Sequence, residues 1–183
     1  MRTILLEDKN PALRKVAAPI PVSDIKGKRI QGLIREMKTL LAKEEYGVAL
    51  AAPQVGEAVR LFIVSGKALA RGSRNAPDEP RGLEARSSKL EVVPDQVYIN
   101  PEMTKVSRAK KEKHEGCLSI RGFWGTVPRA EKATVRAYDE HGKRFLRGAS
   151  DFLAHIFQHE MDHLEGVLYT DKATAVYKET DEK

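Results

Sequence analysis

Residues 154–166, AHIFQHEMDHLEG, place two histidines and two acids among bulky apolar side chains. Apolar residues cover most of a helical circumference over 150–164, so this stretch predicts a buried helix. Buried charged groups are costly unless something pairs with them. His159 and His163 are four residues apart and therefore share one face of the helix, where both rings can bind one divalent metal ion.

The same residues match the H-E-x-x-H signature, in which Glu160 acts on a metal-bound water. A catalytic site needs a third protein ligand and an open position for water. Glu165 follows the histidines too closely to serve, and position 169, where the metzincin pattern needs His, is Tyr. The single cysteine, Cys117, is therefore the best candidate for the third ligand.

Cys117 lies in the segment EGCLSI, and residues 116–120 are predicted to form a strand. Side chains alternate between the two faces of a strand. Cys117 and Ser119 would then lie on one face and Leu118 on the other. A thiolate could face the helix while the Leu118 N–H stays available near the metal.

Most of the remaining pattern indicates strands. Apolar residues three and four apart over 28–46 predict an amphipathic helix near the N-terminus. Further strands are expected at 59–64, 97–100 and 133–139, with a hairpin turn at 140–143. Strands in a run with helices outside them favour an α+β fold, with mixed or antiparallel strands around the buried central helix that carries HEMDH.

The chain has 183 residues, which fits a single catalytic domain over residues 1–170. Residues 65–96 are polar and rich in Gly, Pro, Arg and Ser, so we expect a surface loop insertion there. Residues 171–183 are expected to form a polar C-terminal tail.

Composition narrows the class of protein. Apolar residues make up 41% and charged residues 32%, as in soluble globular proteins. No apolar run approaches the roughly 18 residues that cross a membrane, and the first residues lack signal-peptide and transit-peptide features. We therefore expect a cytoplasmic protein. The net charge of +6 would suit transient ribosome contact, but the basic residues are scattered and no motif indicates sequence-specific nucleic-acid binding.

Three segments occur in the order GVALAAPQ (47–54), EGCLS (115–119) and QHEMDH (158–163). In these segments, and over nearly the whole chain, the sequence resembles peptide deformylase. Members of that family remove the formyl group from N-formylmethionine at the start of nascent polypeptides. The resemblance implies one divalent metal ion, with Fe²⁺ as the native ion and Zn²⁺, Ni²⁺ or Co²⁺ as substitutes.

The resemblance also implies a role for each motif. Glu160 would be the general acid and base, taking a proton from water and passing it to the departing amine. The Gln54 side chain and the Leu118 backbone N–H would stabilise the negative formyl oxygen. The implied metal ligands are Cys117, His159 and His163.

Substrate contacts are also implied by resemblance. The first motif and Gly116 would hold the peptide as an added strand; the residues expected to do so are Gly47, Val48, Ala49 and Gly116. Ala49 stands where the family pattern usually has a second glycine, and its methyl would narrow the cleft slightly. His155, one turn before His159, either lines the methionine pocket or is an ordinary half-buried histidine.

Asp162 lies beside both histidines, and Arg129 is its expected partner. Phe123 and Trp124 follow the cysteine and either flank the substrate or pack in the core.

Two other functions fit parts of the sequence. A metallo-endopeptidase of the H-E-x-x-H type has similar chemistry but needs a third His or Glu ligand that the sequence does not place. A non-catalytic metal-binding or ribosome-binding module would need four protein ligands in a closed site.

Overall fold

The computed structural model describes residues 2–72 and 93–178. The α-helices in these ranges are α1 (Lys28–Lys43), α2 (Gly66–Gly72), α3 (Asp151–Leu164) and α4 (Tyr169–Lys172). The strands are β1 (Ala49–Ala51), β2 (Leu61–Val64), β3 (Gln96–Val106), β4 (Lys110–Cys117), β5 (Ile120–Ala130), β6 (Lys132–Tyr138), β7 (Arg144–Ser150) and β8 (Ala175–Lys178). None of the helices described combines the length and apolar character needed to cross a lipid bilayer.

The strands form two antiparallel sheets. One has five strands in the order β1-β2-β3-β6-β7, and the other has three in the order β4-β5-β8. The α+β class is confirmed, and every pairing between these strands is antiparallel. Strands β1 and β4 each lie at the outer edge of their sheet, a placement that matters for the site.

Strand β2 of the five-stranded sheet is buried on both faces. Along β2, Phe62 and Val64 join a cluster with the apolar side of α3. Leu61 and Ile63 alternate with them and join a second cluster with the apolar side of α1. This alternation follows the two-residue period of a strand, and it holds α3 against the inner face of the sheet.

The predicted N-terminal helix is present but shorter than expected. It ends at Lys43 and not at residue 46, and Tyr46 beyond it is 86% exposed. The expected turn at 140–143 joins β6 to β7, where Asp139 and Lys143 are hydrogen-bonded and Gly142 has a φ of 77°.

The prediction of a strand over 116–120 is wrong. Strand β4 ends at Cys117, Leu118 and Ser119 form a turn, and β5 begins at Ile120, which pairs with Cys117. Cys117 therefore lies at the tip of a hairpin. The turn contains no Gly, Pro, Asn or Asp, and Ser119 is its one residue of a type that is common in turns.

Two predictions about polar segments need correction. Residues Gly66–Gly72 form helix α2, in which Ala68 and Leu69 are buried, so the start of the expected 65–96 loop is not a loop. Residues 73–92 of that loop lie outside the described residues. In the expected tail over 171–183, residues Ala175–Lys178 form β8, whose backbone pairs with β5 although all four residues are exposed.

Candidate metal centre

The tip of the β4–β5 hairpin meets one face of α3. Cys117 comes from the hairpin, and His159 and His163 come from adjacent turns of the helix. One ligand atom from each residue lies within 4.8 Å of the others. Sγ of Cys117 is 3.4 Å from Nε2 of His163. This trio is the set of three that the sequence predicts.

Glu115 fixes the orientation of the His159 ring. Nδ1 of His159 lies 2.8 Å from Oε2 of Glu115, which leaves Nε2 for the centre. A histidine that binds a metal usually donates its other N–H to a carboxylate in this way. The Tyr169 ring is stacked on His159 with centroids 6.3 Å apart. Sequence reasoning missed Glu115; its signal was an acid two residues before the cysteine on the same strand.

Glu115 is the centre of a buried ionic network. Nε and Nη2 of Arg129 donate to its two oxygens at 2.6 and 3.0 Å, and Nε2 of His155 is 2.9 Å away. Burial alone would raise the pKa of Glu115, but the hydrogen bonds from His155, His159 and Arg129 hold it well below its ordinary value. Glu115 is therefore a carboxylate.

Arg129 also makes the contact with Asp162 that the sequence predicts. Nη1 of Arg129 is 2.6 Å from Oδ2 of Asp162, whose other oxygen is 2.6 Å from Nζ of Lys172. Glu115 and Asp162 thus hold Arg129 between β4 and α3. The network connects the strand to the helix that carries the histidines.

The charges at the centre suit a metal. Burial alone would raise the pKa of Cys117, but the neighbouring His163 and His159 lower it to about 5. Burial alone would lower the pKa of His159, but hydrogen bonds to Cys117 and Glu115 raise it. A thiolate beside two imidazoles is a donor set that binds borderline divalent ions such as Zn²⁺ and Fe²⁺ once the rings are neutral.

Glu160 lies within the same buried centre and is 3% exposed. Burial raises its pKa to about 6. Among the described residues, its Oε2 atom has no hydrogen-bond partner, and neither does Nδ1 of His163. A buried carboxylate oxygen without a partner is costly, so this atom fits a site that takes up a metal ion and water.

The Gln54 side chain has one defined orientation. Its Oε1 accepts from the Ala51 N–H at 2.8 Å, so its NH₂ group faces the hairpin tip. Nε2 lies 3.5 Å from Sγ of Cys117 and 3.4 Å from Oγ of Ser119. Gln54 therefore presents a donor to the centre. The Leu118 N–H belongs to the turn beside Cys117.

The other predicted substrate residues lie on β4 and α3, on β1, and just before β1. Ala49 lies on the edge strand β1, preceded by Gly47 and Val48, and the Val48 carbonyl accepts from the Ser65 N–H. A Cβ atom on Gly116 would lie 3.3 Å from the Trp124 ring. His155 is bound to Glu115 and is edge-on to Phe152, with centroids 6.4 Å apart.

Phe123 and Trp124 do not pack in the core. They are 44% and 38% exposed. Trp124 is paired in register with Tyr177 of β8.

Comparison with known proteins identifies relatives. Residues 2–179 match the family model described as Polypeptide deformylase. Peptide deformylase 2 of Nostoc sp. is 39% identical over 163 residues, which cover 89% of this chain and 81% of that protein. The peptide deformylase of Desulforudis audaxviator is 31% identical over 169 residues, with 89% and 94% covered.

Solved structures give the same result. The crystal structure of a peptide deformylase from Legionella pneumophila has a TM-score of 0.74 and 33% identity, and covers 95% of this chain and 86% of that one. The peptide deformylase from Thermotoga maritima has a TM-score of 0.72 and 26% identity, with 96% and 99% covered. By sequence over nearly its full length, this chain belongs to the polypeptide deformylase family.

Proposed function

We propose that this chain hydrolyses the formyl amide of N-formylmethionine at the start of nascent polypeptides, using the centre built from Cys117, His159 and His163. The family relationship supports the reaction. One observation carries the assignment of the site: a thiolate and two imidazoles converge within 4.8 Å beside buried Glu160, whose Oε2 has no hydrogen-bond partner among the described residues.

The donor set supports one divalent ion with an open position for water. Sulfur and imidazole ligands suit Fe²⁺, Zn²⁺, Ni²⁺ and Co²⁺ better than Mg²⁺ or Ca²⁺. We propose Fe²⁺ as the native ion, with the other three as substitutes. When bound, such an ion lowers the pKa of water and polarises the formyl oxygen.

Glu160 is proposed as the group that moves the proton. Its pKa of about 6 lies near neutral pH, where a carboxyl can both accept and return a proton. Glu160 accepts a proton from the attacking water as the oxygen bonds to the formyl carbon. It then gives that proton to the amine nitrogen as the C–N bond breaks, which yields formate and a free N-terminus.

Gln54 and Leu118 are proposed to stabilise the charge on the formyl oxygen. The bond from Ala51 to Oε1 of Gln54 holds the amide before substrate arrives. A donor held in advance stabilises the developing charge without reorganisation. The Leu118 N–H, in the turn after the proposed ligand Cys117, would be the second donor.

The substrate is proposed to bind in an extended form between the outer edges of β1 and β4. Because the Val48 carbonyl is already bonded to Ser65 of the neighbouring chain segment, the Ala49 backbone faces the open edge of β1. Gly47, Val48 and Gly116 would border the same cleft. His155 would contribute the edge of its ring to the methionine pocket, with Glu115 holding it in place.

The test is release of formate. Anaerobically prepared enzyme, loaded with metal, should release formate from formyl-Met-Ala-Ala and should leave an unformylated peptide intact. The relatives do not favour the endopeptidase alternative. Cleavage of the unformylated peptide, without release of formate from the formylated one, would support that alternative. A Cys117→Ser variant should bind metal more weakly, whereas an unchanged metal affinity would refute the ligand assignment.

Action on nascent chains further implies a cytoplasmic location and transient contact with ribosomes. The net charge of +6 would favour such contact. Co-sedimentation with ribosomes at low and high salt would test it. Absence of the enzyme from the ribosome pellet at low salt would contradict the proposed contact.

A further inference from the structure

One face of β4 leads away from the metal centre and carries a lysine. Positions 113, 115 and 117 alternate with 112, 114 and 116, so Lys113 shares a face with Glu115 and Cys117. Glu115 is buried and Lys113 is partly buried, whereas Glu112 and His114 are exposed. The lysine therefore lies on the side of the strand that faces α3.

Strand β4 and helix α3 run in the same direction at this contact. Cys117 approaches His163, and two residues earlier Glu115 contacts both His159 and His155. Lys113 is the next residue back on that face. It therefore lies beyond His155, on the side of the cleft away from the proposed ligands.

Lys113 brings a positive charge to that position, and this charge helps to lower the pKa of Glu131. Within residues 2–72 and 93–178 the side-chain ammonium of Lys113 makes no hydrogen bond or ion pair, although its backbone pairs with β5. Two neighbouring carboxylates are already engaged, since Glu131 is 2.8 Å from Nζ of Lys111 and Glu115 is held by Arg129.

The other end of the cleft is closed by the N-terminal segment. The Leu5 N–H donates to the Gln54 carbonyl at 2.9 Å, and the Glu7 N–H donates to the Ser119 carbonyl at 3.0 Å. A peptide whose formyl group lies at the centre must therefore extend along the cleft toward Lys113.

The spacing of an extended chain selects one substrate residue. Lys113 is four residues from Cys117, or about 13 Å along the strand. The third residue of an extended peptide lies about 10 Å from its formyl group, within reach of a lysine side chain. Residues one and three of such a peptide face the same side, so the third side chain faces α3 as the methionine does.

We propose, resting on the proposed function, that Lys113 is a specificity-determining residue that favours Asp or Glu at the third position of the substrate. The ligand chemistry is a single carboxylate side chain paired with the lysine ammonium. The second substrate residue faces away from α3, so its side-chain charge should not affect kcat/KM.

The experiment compares kcat/KM for amidated peptides formyl-Met-Ala-Glu, formyl-Met-Ala-Lys and formyl-Met-Ala-Ala with metal-loaded enzyme at low ionic strength. The Glu peptide should exceed the Lys peptide by about two- to fivefold, as expected for a solvent-accessible ion pair. A Lys113→Glu variant should invert this ratio, and Lys113→Ala should bring it to about one. Added salt should reduce the wild-type ratio.

The matched control is Lys110→Glu, which makes the same charge change on the opposite face of β4. It should keep the wild-type ratio. Peptides that carry Glu or Lys at the second position should have similar kcat/KM values.

A ratio that survives in both Lys113 variants would overturn the proposal, as would a charge preference at the second position. Formate release from formyl-Met-Ala-Ala without any charge preference would refute the role of Lys113 and leave the proposed function intact. Release of formate from none of the peptides would refute the proposed function, and this inference with it.

Discussion

Glu115 accepts a hydrogen bond from Nδ1 of His159 at 2.8 Å, while the guanidinium of Arg129 holds the same carboxylate at 2.6 and 3.0 Å. The bond to His159 places the ring proton on Nδ1 and leaves the Nε2 lone pair facing the centre. The bond to Arg129 keeps the carboxylate in position. Glu115 therefore prepares one proposed ligand before any metal binds.

Replacing Glu115 with Gln should weaken metal binding. The amide keeps the size of the side chain but removes the charge that favours the required form of His159. Metal affinity should fall by about 10- to 100-fold, measured by competition with a chelator. Glu112→Gln, on the exposed face of the same strand, should leave affinity unchanged. Equal affinities for the two variants would contradict this account of His159.

Replacing Glu160 with Gln should separate catalysis from metal binding. The amide cannot accept the proton of the attacking water, so kcat should fall by about 10²- to 10⁴-fold. Metal content should stay at the wild-type level because Glu160 is not among the proposed ligands. The control is Glu165→Gln, whose side chain is 48% exposed and paired with Arg60. Full activity in Glu160→Gln, or loss of its metal, would contradict the assigned role.

Replacing Gln54 with Glu should remove a donor and keep the shape of the site. The carboxylate can still accept from Ala51, but it presents an oxygen where the NH₂ group faced Cys117. Loss of one such donor lowers kcat by about 10²- to 10³-fold. Gln54→Ala should show a similar loss, because both variants lack the donor. A loss of kcat in Gln54→Ala but not in Gln54→Glu would show that Gln54 acts through packing.

The sequence predicts those parts of the site that depend on local spacing. His159 and His163 lie on one helix face because they are four residues apart, and no tertiary information is needed to see it. Elimination of the other candidates predicts Cys117 as the third ligand, although the strand predicted over 116–120 is wrong. The position of Cys117 at the hairpin tip depends on a two-residue turn that contains no Gly, Pro, Asn or Asp.

The missed features depend on contacts between distant segments. Glu115 meets His155 and His159 only because β4 lies along α3. Helix α2 lies in the segment predicted as a loop, and β8 lies in the segment predicted as a tail. Burial of Ala68 and Leu69 stabilises α2, and backbone pairing with β5 stabilises β8. Neither kind of contact leaves a periodic signal in the sequence.

The network around Glu115 predicts a loss of stability in acid. Burial alone would raise its pKa, but its three partners hold the pKa below the ordinary value of 4.5. The unfolded chain therefore binds this proton more tightly, so the carboxylate stabilises the fold above about pH 4.5 and stops doing so as the pH falls. Urea unfolding of metal-free protein between about pH 7 and about pH 3.5 should show this decline. The free energy of unfolding of Glu115→Gln should depend less on pH than that of the wild type. The same pH dependence in both proteins would contradict the role given to Glu115.

Replacing Arg129 with Met should destabilise the fold more than any exposed ion pair could. Its side chain is 4% exposed and lies between Glu115, at 1%, and Asp162, at 14%. Removing one partner of a buried pair leaves the other charge uncompensated and costs about 3–5 kcal/mol. Arg136→Met is the matched control, because Arg136 pairs with Glu102 and the two side chains are 40% and 60% exposed. That change should cost less than about 1 kcal/mol. Urea unfolding of both variants gives the comparison, and similar losses would mean that Arg129 contributes no more than a surface pair.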